Sequence, residues 1–485
     1  MLFNSIEFLI FFPIVAGLYF ACPYRYRWVL LLVASYYFYA AWRFEYIFLM
    51  LASTLISYIA AIEMVKPKNQ TKQGRLLAIS LCANLGILFA FKYYNFVNGS
   101  LGAAFQQFNI LYNMPMLEVL LPVGISFYTF QSIGYTIDVY WNRLKPEYHL
   151  GRFALFVSFF PQLVAGPIER ATNLLPQFYE KFDFDEARVS SGFRLMLWGL
   201  FQKVVIADRL GLYVNAVYSA PSEWEGWPIF LATYFFAFQI FCDFSGYSDI
   251  AIGAARVMGF NLMENFRRPY FASSPVEFWR RWHISLSTWF RDYLYIPLGG
   301  NRVPVPRWYL NLLIVFVVSG LWHGAAWTFI LWGALHGLYM IGDVATRNVR
   351  GRLAQRLGLD QRPTAQALLS GFVTFNLVCL AWIFFRANSV AEAFVLLDNL
   401  LPLTNFANLN APWVAVVSDP AREMALSIAL ILLLVLVHLG QAQQWTTATF
   451  WRRTTWLRWA AYLSLTLAIL NLGITEEVPF IYFQF

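Results

Sequence analysis

The chain alternates between apolar stretches and short polar stretches along nearly its whole length. The hydrocarbon core of a bilayer is about 30 Å thick, so a crossing helix needs about 20 mostly apolar residues. The pattern therefore predicts an all-α polytopic membrane protein with about 11–12 transmembrane and re-entrant helices. The predicted membrane segments are residues 6–21, 28–42, 46–61, 76–94, 119–140, 153–166, 193–214, 229–258, 309–340, 367–385, 424–438 and 457–472.

The composition excludes an ordinary soluble protein. Of the 485 residues, 59% are hydrophobic, 19% are aromatic and only 13% are charged. Too little polar surface remains to cover a soluble globular fold. Because no internal repeat, low-complexity tract or separable soluble region interrupts the pattern, we predict a single integral-membrane domain over residues 1–485.

The net charge of +8 is concentrated in every second loop of the first half of the chain. Loops rich in Lys and Arg face the cytoplasm in membrane proteins. The alternation predicts an N-terminus that faces outward, and it argues against nucleic acid as the reason for the positive charge. The basic residues in question are Arg25, Arg27, Lys66, Lys68, Lys72, Arg75, Arg143, Lys145 and Arg152.

The polar stretches between the segments are predicted to be connectors. Residues 93–117 are rich in Asn and Gly and predict an exterior loop, while residues 170–188 predict a surface hairpin or short helix. Residues 347–362 and 401–422 resemble ordinary loops. The aromatic residues within 476–485 are expected in the belt at the membrane interface.

The four cysteines are scattered and show neither CxxC nor Cys/His spacing, so disulfides and structural zinc are not expected. Cys22 is not interpreted as a lipoprotein anchor, because no basic region precedes residue 6. A role for Cys242 as an acyl carrier stays open.

Residues 319–340 place two imidazoles, His323 and His336, in an apolar stretch rich in small residues. Ionisable groups at membrane depth are costly, so they usually face a protein interior or a water-filled cavity and mark function. On an unbroken helix the two rings would lie about 20 Å apart on different sides, although Gly320 and Gly324 would permit a break. Without HExxH or another ligand set, no metal site is expected.

Residues 278–295 predict a short basic helix that lies in the membrane surface. His283 falls on its apolar face, so its ring has to point into the protein, either as a functional group or bonded to one backbone carbonyl. Arg280, Arg281 and Arg291 take the other face. They suit an anionic ligand such as a phosphorylated cofactor, although anionic lipid headgroups would satisfy them equally.

Two further segments put polar or helix-breaking residues at membrane depth. Prolines and a glycine interrupt residues 158–170, which is typical of a cavity wall but also of a kinked helix. Residues 241–249 contain two aspartates and several hydroxyls, for which we favour hydrogen bonds between helices over contact with a substrate.

A buried histidine suits general base catalysis. Desolvation disfavours the imidazolium, and the neutral ring accepts a proton. Beside a hydroxyl and an activated acyl group, such a base typically accelerates acyl transfer about 10²- to 10⁴-fold. Since no GxSxG elbow is present, we predict direct transfer with His323 as the base and no acyl-serine intermediate.

Several long motifs closely resemble the membrane-bound O-acyltransferase (MBOAT) family, and within it the bacterial alginate O-acetylation branch. The D-alanyl transfer proteins of teichoic acid modification are more distant. The motifs cover nearly the whole chain and read FNSIEFLIFF, ASYYFYAAW, LLPVGISFYTFQSIGY, AGPIER, DFSGYSDIAIG, FWRRWHISLSTWFRDYLYIPLGGNR, GLWHGAAWTFILWGALHG and WIFFRA.

The resemblance implies a ring of transmembrane and re-entrant helices around a central tunnel. His323 in LWHG matches the family's essential histidine, and His283 in RWHISLS matches the second position, which orients substrate or thioester. The implied donor is cytoplasmic acetyl-CoA, with no permanently bound cofactor and with the arginines at 280, 281 and 291 near its phosphates. The resemblance assigns no role to His336.

For this branch the resemblance implies transfer of acetyl across the bacterial inner membrane for O-acetylation of an exopolysaccharide such as alginate. The expected contacts are acyl-CoA, membrane lipid, periplasmic SGNH-type acetyltransferase partners and, indirectly, the exopolysaccharide, but no nucleic acid. One alternative is an acyltransferase for a lipid, a teichoic acid-like polymer or a peptide. The other is a non-catalytic transporter or export module, which predicts inverted halves that the sequence does not show.

Overall fold

Helices supply the secondary structure of the protein, for which we use a computed structural model. The structure describes residues 1–118, 120–401, 403, 406–414, 416–442, 455–474 and 478–483. No β-strand occurs over these ranges, which agrees with the all-α prediction. The helices are α1 (Ile6–Ala21), α2 (Tyr24–Ala40), α3 (Ile47–Val65), α4 (Gln73–Leu88), α5 (Tyr94–Gln107), α6 (Ile125–Tyr140), α7 (Leu150–Ser158), α8 (Phe160–Leu163), α9 (Ala171–Gln177), α10 (Glu186–Phe201), α11 (Asp208–Tyr218), α12 (Trp227–Met258), α13 (Pro275–Arg281), α14 (Ile284–Phe290), α15 (Val305–His323), α16 (Trp327–Ala345), α17 (Arg347–Arg356), α18 (Pro363–Arg386), α19 (Val390–Asp398), α20 (Ala411–Val414), α21 (Pro420–Ala442) and α22 (Thr455–Leu472).

Part of this helical set is long and apolar enough to cross a membrane. Within the described residues these stretches are Phe44–Val65, Pro67–Gln107, Trp227–Met258, Val305–His323, Trp327–Ala345, Pro363–Arg386 and Pro420–Ala442. Several other predicted segments form shorter helices, such as α7 and α8, which break at Phe159. Short, interrupted helices of this kind are expected where backbone is buried in protein at membrane depth.

The segment predicted as one span at residues 309–340 is a helical hairpin of α15 and α16. Two glycines let the helices touch, because a Cβ at Gly320 would collide with the carbonyl oxygen of Phe329, and one at Gly333 with that of Phe316. Small residues at a crossing allow such close approach. The helix is broken between His323 and His336, as the glycines permitted, so the separation given for an unbroken helix does not apply.

Three predicted boundaries also differ from the structure. The exterior loop at residues 93–117 contains α5, and the connector at residues 347–362 contains α17. Helix α6 begins only after Gly124, which has a φ of 76° and lies so close to the carbonyl of Leu163 that a Cβ would collide with it. A polar or glycine-containing composition therefore does not by itself exclude a helix.

Within the described part of the chain, π-helical turns interrupt the helices at Phe89–Tyr93, Gln202–Ala207 and Arg291–Tyr295. A π turn inserts a residue into a helix and frequently occurs at functional sites. Each of these turns carries a cationic side chain, namely Lys92, Lys203 or Arg291. The insertions therefore redirect charged groups within otherwise apolar helices.

The polar residues of 241–249 bond to the second π turn. Lys203 donates to Asp208 at 2.6 Å and lies 2.7 Å from a carboxylate oxygen of Asp243. All three side chains are buried. We call Lys203, Asp208 and Asp243 the ion cluster. Gln202 of the same turn donates to Asp249 at 2.9 Å, so this segment forms hydrogen bonds between helices.

Candidate active site

His323 and His283 meet in the core. His323 is the last residue of α15, His283 precedes α14, and their ring centroids are 6.3 Å apart. Their exposed fractions are 3% and 0%. Helix α15 ends there because Gly324 has extended backbone and lies against the ring of Phe329, where a Cβ would collide. Two residues that are far apart in sequence thus form a buried imidazole pair.

The predicted surface helix over residues 278–295 is wrong in its middle. Helix α13 ends at Arg281 and α14 begins at Ile284, while His283 between them has a φ of 42°. A non-glycine residue in this left-handed region costs on the order of 1–3 kcal/mol and persists only where its surroundings hold it, often at functional sites. Here Ile284 N–H donates to the carbonyl of Asn265 at 2.9 Å. The break, rather than a continuous apolar face, directs the imidazole inward.

Hydrogen bonds define the tautomer of His283. Its Nδ1 lies 3.0 Å from Oδ1 of Asn265, which also accepts from Ser285 Oγ at 2.9 Å. The amide nitrogen of Asn265 donates to Ser248 Oγ at 3.2 Å, which fixes the orientation of the amide. Because an amide oxygen only accepts, Nδ1 carries the proton and Nε2 presents its lone pair. Nε2 has no hydrogen-bond partner within the described ranges.

The ring of His323 is enclosed by aromatic side chains. Its centroid lies 5.0 Å from Trp322, 4.9 Å from Trp332 and 5.5 Å from both Phe385 and Tyr482. Neither ring nitrogen bonds to any residue in the part of the chain that the structure describes. Buried polar atoms without partners are uncommon in native proteins and often belong to catalytic groups. The arrangement leaves this imidazole available to a substrate.

Lys92 holds the end of the helix that carries His323. Its ammonium donates to the carbonyl oxygens of Trp322 at 2.8 Å and His323 at 3.0 Å. A cation at a helix C-terminus satisfies terminal carbonyls and interacts favourably with the helix dipole. Sequence analysis missed Lys92, although a lysine within the predicted span 76–94 was a usable signal.

His336 lies apart from the pair. Trp332 separates it from His323, with its ring 4.9 Å from each imidazole. Nδ1 of His336 accepts a hydrogen bond from Trp279 at 3.2 Å. This contact joins α16 to α13, while Nε2 of His336 has no hydrogen-bond partner within the described residues.

A cavity of about 880 Å³ opens between α13, α14 and the α15–α16 hairpin. Sites for small molecules typically have volumes of about 300–1,000 Å³. Arg280 and Arg291 line this cavity together with Arg347 and Arg350, which the sequence analysis did not identify. Arg281 is not part of the lining and forms an ion pair with Glu277 instead. Of the three predicted arginines, Arg280 and Arg291 therefore line the cavity and Arg281 does not.

Contacts place this cavity on the same side as the basic loops. Tyr295 in its lining accepts a hydrogen bond from Trp308 at 2.8 Å. Tyr293 nearby donates to Asp138 at 2.8 Å, and Asp138 lies 3.7 Å from Arg143. We call the side that carries Arg143, Arg291 and Arg347 the basic face.

The AGPIER segment supports the basic face. Arg170 forms an ion pair with Asp292 at 3.2 Å, and its guanidinium lies 4.5 Å from the ring centre of Tyr293. Glu169 accepts from Asn173 at 2.8 Å. These contacts fix the π turn that carries Arg291. Neither Glu169 nor Arg170 lines the large cavity, so the segment acts as a support behind it.

Two smaller cavities approach His323 from the other side. The inner cavity, of about 40 Å³, is lined by His323, Trp322, Lys92, Tyr482 and residues of the loop before α6. The outer cavity, of about 260 Å³, is lined by residues at the beginning of the chain and near the end of α2. Both include Val123 and Val164, so they are adjacent.

The histidine pair lies between these two sets of cavities. Helix α15 lines the large cavity up to Ser319 and reaches the inner cavity one turn later, at Trp322 and His323. The large cavity also includes Ile284, the neighbour of His283. Neither histidine is part of its lining. The large cavity and the inner cavity therefore lie along successive turns of α15, and His323 belongs to the lining of the inner one.

The aromatic residues near position 480 lie inside the protein, which contradicts their predicted place in an interface belt. Phe480 is 0% exposed, and its ring centre lies 4.7 Å from that of Tyr247. The N–H of Ile481 donates to Asp243 at 2.7 Å. Of the predicted range 476–485, residues 476, 477, 484 and 485 lie outside the described part. Burial of this segment brings Tyr482 to His323, a contact that no sequence pattern indicated.

Other reactive groups lie away from the pair. The four cysteines are free thiols, and Cys242 lines none of the three cavities described above. Within the described residues no three His, Cys, Asp or Glu side chains are grouped so as to hold a metal ion.

Comparison with known protein families decides the class of this site. The model of MBOAT, the membrane-bound O-acyltransferase family, matches residues 142–390, a range that contains His283 and His323. The chain belongs to the membrane-bound O-acyltransferase family. It is accordingly a multi-pass membrane protein and an O-acyltransferase, as its resemblance to this family predicted.

Three curated relatives of this MBOAT protein carry names of acyltransferases. It is 40% identical over 397 residues to the probable alginate O-acetylase AlgI of Pseudomonas putida. That alignment covers 81% of this chain and 79% of the relative. It is 34% identical over 379 residues to the peptidoglycan O-acetyltransferase of Helicobacter pylori, with coverage of 72% and 69%. Identity to the teichoic acid D-alanyltransferase of Streptococcus thermophilus is 31% over 281 residues, with coverage of 54% and 68%.

Proposed function

We propose that this MBOAT enzyme takes an acetyl group from cytoplasmic acetyl-CoA and passes it across the bacterial inner membrane for O-acetylation of an exopolysaccharide such as alginate. The observation that carries this proposal is the position of His323 and His283 between an arginine-lined cavity and the inner cavity. A thioester that arrives from one side and a nucleophile that arrives from the other would meet at this pair.

The large cavity suits the donor in size and charge. Coenzyme A carries phosphate groups, and Arg is well suited to bind phosphate with two parallel hydrogen bonds. Arg280, Arg291, Arg347 and Arg350 line the cavity. Two of them also bond to neighbouring carboxylates, Arg291 to Asp292 and Arg350 to Asp343. The positive-inside rule assigns the basic face to the cytoplasm, where acyl-CoA is made, and leaves the N-terminus outward.

The chemistry follows from the two imidazoles. A nitrogen of His323 accepts the proton of the acceptor hydroxyl while its oxygen attacks the thioester carbonyl carbon. The carbon–sulfur bond then breaks, and the proton passes to the leaving CoA sulfur. His283, whose Nδ1–H is held by Asn265, offers Nε2 as a hydrogen-bond acceptor that orients a hydroxyl of the acceptor substrate.

The acceptor follows from the similarity to the P. putida alginate O-acetylase, which covers most of both chains. Because the polymer lies outside the membrane, we infer that periplasmic SGNH-type acetyltransferases carry the acetyl group onward. Similarity to the H. pylori enzyme favours peptidoglycan as the second candidate acceptor. Deleting the gene and measuring ester-linked acetate in exopolysaccharide and in peptidoglycan separates the two, and unchanged acetate in both would reject the proposal.

The donor site is tested with labelled acetyl-CoA and the purified enzyme. Each of Arg280→Ala and Arg291→Ala removes a charge-assisted contact of about 1.5 kcal/mol, so we expect KM for acetyl-CoA to rise roughly tenfold with little change in kcat. Arg281→Ala is the comparison, because its guanidinium is paired with Glu277 outside the cavity. A KM increase for Arg281→Ala equal to the other two would place the donor elsewhere.

A further inference from the structure

Tyr482 lines the inner cavity beside His323, although its segment, residues 478–483, lies far beyond the family match that ends at residue 390. Ile481 N–H donates to Asp243 of the ion cluster at 2.7 Å. Phe480 packs 4.7 Å from Tyr247 and 5.3 Å from Phe244. A buried charge that accepts a backbone N–H makes a strong contact. The segment is therefore fixed at a defined depth in the helix bundle.

This anchoring positions Tyr482 beside the ring of His323, with Phe244 between it and His283. Its ring centroid is 5.5 Å from His323 and 4.6 Å from Phe244, whose ring lies 4.6 Å from His283. Tyr482 also lines the inner cavity together with His323 and Lys92. Its side chain thus occupies space directly beside the group that would act as the base.

The inner cavity is small compared with the outer cavity next to it. Their volumes are about 40 Å³ and about 260 Å³, and Val123 and Val164 belong to both. Since roughly 10–15 Å³ of such space holds one water molecule, the inner cavity has room for about three groups of that size. The approach to His323 from the outer side therefore narrows where Tyr482 contributes its ring.

We propose that residues 478–483 limit the access of water to the acyl donor, with Tyr482 as the residue that sets the width of the outer approach to His323. This inference rests on the proposed use of an acyl-CoA donor. Water that reaches the thioester would attack the carbonyl carbon, break the carbon–sulfur bond and release acetate and CoA thiol. Exclusion of water from a closed site prevents such side reactions. Tyr482 thus determines whether the acyl group goes to the acceptor or to water.

The first test measures CoA thiol release from acetyl-CoA by the full-length enzyme without an acceptor. Tyr482→Ala removes the ring and is expected to raise this hydrolysis about tenfold, with Tyr482→Leu between it and the wild type. Tyr482→Phe keeps the ring and is expected to keep hydrolysis low. Unchanged hydrolysis in Tyr482→Ala would overturn the inference. So would loss of all thioester cleavage in a folded variant, because Tyr482 would then position the base instead.

The second test measures access without any reaction at the thioester. Ser126 also lines the inner cavity and is 7% exposed, so Ser126→Cys introduces a thiol there. A small water-soluble thiol reagent should label it about tenfold faster when Tyr482→Ala is added, after subtraction of labelling in the parent chain. Tyr339→Ala is the matched control, since it truncates a tyrosine that does not line this cavity. Equal labelling with and without Tyr482→Ala would refute the access role.

The two tests separate this inference from the proposed function. If the wild-type enzyme cleaves another acyl-CoA but not acetyl-CoA, the proposed donor is wrong, whereas faster labelling in the Tyr482→Ala background still supports the access role. If acetyl-CoA is the donor and labelling does not change, the proposed function stands and the role of Tyr482 is rejected.

Discussion

This protein contains two clusters of buried polar side chains, the ion cluster and the histidine pair. They differ in how many of their polar atoms have bonding partners. In the ion cluster, Lys203 contacts carboxylate oxygens of both Asp208 and Asp243 at 2.6–2.7 Å. In the histidine pair, by contrast, both ring nitrogens of His323 lack a bonding partner within the described ranges, and His283 keeps one nitrogen open. The paired group holds helices together, while the open group has bonding capacity left for a substrate.

Residues 478–483 connect the two groups. The backbone N–H of Ile481 donates to Asp243 of the ion cluster. The ring centre of the next residue, Tyr482, lies 5.5 Å from that of His323. Buried ion pairs contribute little net stability, because desolvation offsets their attraction. Their value here is geometric, since they fix the depth at which an aromatic side chain meets the reaction site. The comparison predicts that substitutions in the ion cluster affect stability and substitutions at the pair affect turnover.

The largest effect is expected at the open group. His323→Ala removes the proposed base and should lower acyl transfer about 10²- to 10⁴-fold, with unfolding temperature and elution volume close to the wild type. His336→Ala is the matched control, because it removes an imidazole that is already bonded to Trp279. For that variant we expect a stability loss of about 1–3 kcal/mol and a much smaller loss of activity. Transfer that persists in His323→Ala would remove the distinction between the two groups.

The paired group should respond in the opposite way. Lys203→Met leaves two carboxylates buried without their cation, so we expect a loss of about 3–5 kcal/mol in unfolding free energy, measured by thermal unfolding in detergent. Adding Asp208→Asn and Asp243→Asn removes those charges and should recover part of the loss. If the single variant unfolds at the wild-type temperature, the ion cluster does not stabilise the fold.

The smallest effect is expected at Asn265, which bonds to one ring nitrogen of His283 and leaves the other without a partner. Asn265→Ala removes the acceptor that holds the Nδ1 proton of His283, a contact of about 1–3 kcal/mol, so kcat should fall roughly 10- to 100-fold. Asn265→Asp keeps an acceptor oxygen and should retain more activity than Asn265→Ala. A purely structural role predicts equal losses in kcat for the two variants, and that result would contradict tautomer control.

Much of the architecture was readable from the sequence because bilayer insertion depends on local properties. Length and hydropathy identified helices such as α3, α12 and α18, whose cores fall within the predicted segments. The residues within 241–249 were expected to bond between helices, and they do. The same local reasoning selected the imidazoles at positions 283 and 323 as candidates, because uncompensated ionisable groups are rare in apolar segments.

Errors arose wherever contacts between distant segments override local preference. The periodicity of residues 278–295 is helical, yet the backbone breaks at His283, where Asn265 bonds to both the imidazole and the following N–H. Residues near 480 have the composition of an interface belt, yet the carboxylate of Asp243 draws them into the core. Likewise, only the structure divides the three predicted arginines and adds Arg347 and Arg350 to the cavity.

The sequence by itself determined that this protein is a bundle of membrane helices with two candidate imidazoles, because apolar length and the cost of buried polar groups are properties of each segment alone. Only the tertiary structure decided that the rings of His283 and His323 lie close together, that Lys92 bonds to the backbone of His323 and that Tyr482 lies beside its ring. Those relations depend on contacts between residues that are far apart in the sequence, up to 231 positions for Lys92 and His323. Such contacts form only when the whole chain packs, and periodicity within one segment carries no information about them.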